Sequence, residues 1–100
     1  MSWSRPAAVQ PAEETRTRTL DELLPPYRVV LHNDDHNAMD HVIEALLKSI
    51  SNLTRERASE IMLETHERGQ ATAATCPLEL AELYRERLES YGLTATIERA

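Results

Sequence analysis

The sequence predicts an α+β fold, a small three-stranded antiparallel sheet with three helices packed on one face in the order β-α-α-β-α-β. Three observations predict it. Short strand-like runs at residues 27–32, 70–75 and 93–97 alternate with longer blocks whose apolar residues recur at helical spacing. Thr54, Gly69, Pro77 and Gly92 stand at the joints, where caps and turns are expected. One hundred residues that are 41% hydrophobic, with four aromatics and no Phe, can build one small aliphatic core. Helices on one face of a small sheet is the natural closure for that order.

Residues 1–24 are rich in Pro, Ala, Thr, Glu and Arg and too poor in apolar groups to offset the entropy of ordering, so a disordered N-terminal arm is expected, followed by a domain over 25–100. Pro25 and Pro26 stiffen the way into the first strand, Tyr27–His32. Asn37 is a suitable N-cap for the first helix, with Asp40 three residues on in the capping-box position. Met39, Val42, Ile43, Leu46, Leu47 and Ile50 form its apolar stripe, and it should end near Ser51-Asn52. Thr54 caps a second helix that runs to about Arg68, with Gly69 as its stop and Ala58, Ile61, Met62 and Thr65 on its inner face. His66 lies one turn beyond Met62 on nearly the same side. After a small-residue strand over 70–75, Pro77 opens a third helix with a stripe of Leu80, Leu83, Tyr84, Leu88 and Tyr91, closed by Gly92. Leu93–Ile97 is the last strand, with Leu93, Ala95 and Ile97 on one side.

Composition narrows the function. A net charge of −6 lacks the cationic face that phosphate binding requires, so no nucleic acid partner is expected. No run approaches the roughly 18 apolar residues of a membrane span, and the N-terminus carries no apolar export segment. The single cysteine, Cys76, cannot form an intramolecular disulfide, so a cytoplasmic location is expected.

The most crowded stretch is 32–41, with three carboxylates, three imidazoles and two amides between a strand and a helix. His32, Asp34, Asp35, His36, Asp40 and His41 offer metal ligands, but a turn splits the first two and the last pair diverge by about 100° as helical neighbours. A general acid/base site would have only His66 to add from the rest of the chain. A solvated turn that merely caps a helix accounts for the composition as well. A fourth reading uses more of the residues: Asn33, Asp34 and a neutral His66 accept hydrogen bonds from a small ammonium group, while Met39 and Met62, with Val42 and Leu93 behind, line an apolar recess. An acidic mouth over an adaptable Met-lined pocket fits a free peptide N-terminus with a large apolar side chain.

The run Tyr27-Arg28-Val29-Val30-Leu31-His32-Asn33-Asp34-Asp35, then Met39 with Val42 and Ile43, then Arg57-Ala58 and Ile61-Met62-Leu63 with His66 and Gly69, then Glu79 and the ending Ile97-Glu98-Arg99-Ala100, resembles the ClpS adaptor family. The likeness covers about residues 25–100 in order. It implies an adaptor of the bacterial N-end rule pathway and no enzyme, cofactor or metal. Such an adaptor binds N-degron peptides and proteins that begin with Leu, Phe, Tyr or Trp. It delivers them to the N-terminal domain of a ClpA or ClpC unfoldase, which works with the ClpP peptidase.

By position, the resemblance gives Asn33, Asp34, Asp35 and His66 the substrate α-amino group. Met39, Val42, Met62 and Leu93 fall in the side-chain pocket, with Met39 as a gate against β-branched first residues. Asn37, where the family often has Thr, and Thr65, where it often has an aliphatic residue, should make that pocket slightly more polar. Glu79 matches an acid turned toward the unfoldase, and Tyr84 stands on the same face where some relatives carry Lys. The arm over 1–24 is expected to serve delivery, and the protein to be a monomer. A ClpS-like interaction module without N-degron recognition, akin to the C-terminal domain of the ribosomal stalk protein, is the alternative.

Overall fold

The computed structural model describes residues 24–100, so the expected arm, apart from Leu24, lies outside the described residues. The elements follow the expected order: β1 (Pro26–His32), α1 (Met39–Ser49), α2 (Arg55–Arg68), β2 (Gln70–Pro77), α3 (Leu78–Ser90) and β3 (Thr94–Arg99). β1 lies in the middle of the sheet, order β2-β1-β3, antiparallel to both neighbours. Its most β-prone residues therefore take the most buried place: Val29, Val30 and Leu31 are all buried.

Side chains alternate across the sheet, so Val29 and Leu31 share a face with Ile97 and Ala95 on β3 and with Ala74 and Ala71 on β2. The alanines on the flanking strands leave room for helices to approach, and α2 packs on β2 while α3 crosses all three strands. α1 packs against α2 and α3. On the other face Val30 is paired between Thr72 and Thr96. The register with β2 shifts between Val29 and Val30, with Ala73 as the additional residue of a bulge.

Local chemistry sets the bounds of α2 where the sequence puts them. The Thr54 side chain accepts from the Arg57 N–H, and Gly69 closes the helix at φ 89°, a left-handed conformation that glycine adopts without a Cβ clash. Ala58, Ile61, Met62 and Thr65 are its buried residues. An exposed Arg55–Glu44 pair at 2.6 Å joins α2 to α1, and the Arg55 hydrogen bond and charge hold the Glu44 carboxyl below its usual range. Burial pushes the Cys76 thiol up.

Elsewhere the structure corrects the sequence reading. Asn37 is not the N-cap of α1; Ala38 holds that position without a side-chain bond, because the Asn37 amide is taken by partners outside the helix. α1 ends at Ser49 rather than near Asn52, which turns the chain at φ 64°. Pro77 is the N-cap of α3 and the last residue of β2, not the first helical residue. The buried stripe of α3 is Ala81, Tyr84 and Leu88, whereas Leu80, Leu83 and Tyr91 are exposed. Ala81 is fully buried, and with Ala81, Tyr84 and Leu88 turned inward Leu80 and Leu83 lie on the exposed side of the helix. Tyr84 is thereby placed in the core at 6% exposure, so its side chain is not presented to an unfoldase as expected.

Candidate functional site

Three segments meet at one end of the sheet: the 33–38 loop between β1 and α1, the last turns of α2, and the turn between α3 and β3. The first two are joined by the backbone. Asn33 N–H donates to the Gly69 carbonyl at 2.9 Å, and Gly69 N–H in turn donates to the Thr65 carbonyl at 2.9 Å. The αL turn at Gly69 thus brings the end of α2, with His66 in its last turn, beside the end of β1. The third segment is attached through side chains, since Asn37 donates to the Gly92 carbonyl at 3.0 Å and His41 Nε2 lies 2.6 Å from the Tyr91 carbonyl.

Between them opens a recess of about 290 Å³. That is near the lower end of small-molecule sites, roughly 300–1,000 Å³, and suits one amino-acid residue rather than a large ligand. Asn33, Asp34, Asp35 and His66 line it, as do Asn37, Met39, Val42, Met62, Thr65 and Leu93. All ten residues that the sequence assigned to the amino group and the side-chain pocket are therefore brought together. Asn33, Asp35 and His66 are exposed and form the rim with the half-buried Asp34. Met62, Thr65 and Leu93 are buried and form the floor. Met39, 46% exposed, stands at the mouth.

Asp34 is held by its own turn. Its Oδ1 accepts the His36 backbone N–H at 3.0 Å, and Asn37 Nδ2 lies 2.9 Å from Oδ1 and 3.2 Å from Oδ2. An ionised carboxylate has about four lone-pair sites, so it keeps capacity for a further N–H. The Thr65 hydroxyl donates to the Ile61 carbonyl at 2.7 Å. Its proton is spent within the helix, and the floor gains less polarity from Thr65 than the substitution suggests.

The imidazoles of the turn disperse. His32 Nε2 lies 2.7 Å from Thr96 Oγ1 on β3, and His41 is engaged at Tyr91. Among the described residues no three His, Cys, Asp or Glu side chains converge as metal ligands would. Leu31, His32 and Ala38 also line the recess and were not anticipated. Leu31 and His32 read as strand, and their position at the strand end beside Asn33 is the signal that could have found them. Glu79 lies away from the recess, exposed in the first turn of α3.

Comparison with known proteins follows the same lines. The family model described as ATP-dependent Clp protease adaptor protein ClpS matches residues 22–96. The ATP-dependent Clp protease adapter protein ClpS of Synechococcus elongatus is 42% identical over 91 residues, covering 91% of this chain and 96% of the relative. Its namesake in Gloeobacter violaceus is 48% identical over 75 residues, 75% of this chain and 81% of the relative. A chloroplastic adapter of Chlamydomonas reinhardtii is 45% identical over 74 residues, which span 74% of this chain and 46% of the relative. Among solved structures, Agrobacterium tumefaciens ClpS2 bound to L-phenylalaninamide superposes with a TM-score of 0.71 at 23% identity, covering 76% of this chain and 98% of that one. At that identity it speaks for the fold.

Proposed function

The chain belongs to the ClpS family of ATP-dependent Clp protease adaptors, and on that premise we propose that its recess binds the free first residue of a substrate protein for delivery to a Clp unfoldase. The observation that carries this reading is the division of one small recess into a polar rim with Asp34 and a mostly apolar interior of Met62, Leu93 and Val42 beside Thr65. Asn33, Asp34 and His66 accept hydrogen bonds from the α-ammonium group, Asp35 supports that end, and a Leu, Phe, Tyr or Trp side chain enters past Met39. The Agrobacterium relative, whose bound phenylalaninamide has a free amino group and a benzyl side chain, supports the same occupancy.

Magnitudes make both halves necessary. Burying a Leu or Phe side chain contributes about 1.5–3 kcal/mol, against the roughly −8 kcal/mol of a micromolar complex. The ammonium contacts must supply much of the remainder, at about 1.5–3 kcal/mol for each charge-assisted bond. An acetylated or internal residue lacks the charge and forgoes the charge-assisted bonds that the ammonium group makes, so it is rejected for want of those contacts. The partner is the N-terminal domain of a ClpA or ClpC unfoldase, approached through exposed Glu79. Among the described residues no helix is long and apolar enough to cross a membrane.

Fluorescence anisotropy with a labelled peptide beginning with Leu tests the reading, beside the same peptide acetylated and one beginning with Ile. Tight binding of the first alone is expected. Binding of none would return the chain to a protein-interaction module of the same fold.

A further inference from the structure

Asn37 was assigned from sequence to the apolar half of the site, yet its bonds connect the two halves. A single amide nitrogen lies 2.9 and 3.2 Å from the Asp34 carboxylate oxygens and 3.0 Å from the Gly92 carbonyl. Every one of these neighbours is an acceptor. Only Nδ2, with its two hydrogens, satisfies them, and the reversed amide would set an oxygen against three oxygens.

The two groups so joined belong to different parts of the recess. Asp34 is on the rim, and Gly92 precedes Leu93, which is 5% exposed on the floor. The turn that carries them is closed on the α3 side by its own backbone, Gly92 N–H to the Glu89 carbonyl at 2.9 Å and Leu93 N–H to the Leu88 carbonyl at 3.1 Å. Its other side is held from the 33–38 loop and from α1. Asn37 takes the Gly92 carbonyl, and His41, donating through Nε2, takes the carbonyl of Tyr91 at 2.6 Å. Gly92 adopts φ 85°, and a Cβ there would meet Asn37 Oδ1 at 3.9 Å, so the amide lies directly over the turn.

We infer that Asn37 is a positioning residue: it sets the separation between the carboxylate that receives the amino group and the Leu93 wall that receives the side chain. One residue's ammonium and side chain are then met together. The inference rests on the role proposed above for Asp34. Its chemistry is specific. Asn37→Asp has the same shape but no donor, and places negative oxygens against Asp34 and Gly92. Asn37→Thr offers one hydroxyl proton, which can serve Asp34 or Gly92 but not both.

The test is a double-mutant cycle read by Leu-peptide anisotropy in the full chain, with amide hydrogen exchange across Tyr91–Leu93 measured on the unliganded proteins. Asn37→Ala is expected to weaken binding about fivefold in the wild-type background and no more than about twofold beside Asp34→Ala, because most of its effect passes through that carboxylate. Exchange across Tyr91–Leu93 should quicken in Asn37→Ala. Equal losses in both backgrounds, or unchanged exchange, would overturn the inference. If Asp34→Ala alone leaves affinity intact, the ammonium assignment has failed, and exchange alone then decides the tether: faster upholds it, unchanged overturns it. Should Asn37→Ala not fold, Asn37→Thr takes its place in the same cycle and is judged the same way.

Discussion

Replacing Asp34 by Ala removes the only carboxylate of the recess that is both partly sheltered and held in place by donors on either side. His36 N–H and Asn37 fix it at 2.9 to 3.2 Å, so a ligand ammonium meets an oriented group and little of the bond is lost to ordering it. A charge-assisted hydrogen bond contributes about 1.5–3 kcal/mol, and since Asp34 is only half-buried the lower end applies. At about 1.4 kcal/mol per decade, binding of a Leu peptide should weaken at least about tenfold. His66→Ala should do the same from the opposite side of the rim. Anisotropy titration of both variants measures this, with melting curves to establish that the fold is kept. The acetylated peptide, which carries no ammonium group, should respond to neither substitution. Affinity within about twofold of wild type for either variant would refute the assignment of that residue to the amino group, since such a change is smaller than any charged bond supplies.

Four further outcomes are expected. Binding should fall as pH rises past the α-amino pKa of about 8, because the ammonium is favoured in the complex and its contribution, present below that pKa, is lost as the group deprotonates; a flat affinity from pH 7 to 10 would contradict the charged contact. Thr54→Ala removes the side-chain cap of α2 and should cost about 1 kcal/mol, a fall in Tm of about 4–8 °C by calorimetry. Ser49 is fully buried with a hydroxyl that has no partner among the described residues, so Ser49→Ala should raise Tm rather than lower it, by up to a similar amount. Deleting residues 1–24, or reversing charge with Glu79→Lys, should leave peptide affinity unchanged and slow degradation of a Leu-tagged substrate by the Clp protease; undiminished degradation would deprive the altered element of its role in delivery.

Where the governing chemistry is local, the sequence was legible. Thr54 and Gly69 bound α2 as read, because a cap and a left-handed glycine act within one turn. Asn37 was misread because the same side chain that suits an N-cap is taken by a carbonyl 55 residues away, and no local rule anticipates that competitor. The α3 stripe failed for a related reason. Apolar residues at 80, 83, 84 and 88 allow two faces, and the small residue Ala81, silent in a periodicity count, decides which one meets the sheet. Tyr84 then follows into the core. Asn33, Asp34, His66, Met39, Met62, Val42 and Leu93 were grouped by their chemistry as one of several open readings, and the family resemblance singled that reading out and added Asp35, Asn37 and Thr65. The meeting of Asn33 and His66 depends on the β1–β2 register and the Gly69 turn, which no local pattern shows.

That turn has a bearing on when the protein is competent. The hydrogen bond from Asn33 to Gly69 fastens the two ends of an excursion that includes all of α1 and α2. Contacts of such long range are the costly ones in chain entropy and form only as the rest of the structure closes. A chain in which that closure is lost would keep every rim and floor residue without the arrangement that makes the recess. For a molecule proposed to select others for destruction, selection is thereby tied to its own integrity: a damaged copy falls silent instead of choosing wrongly.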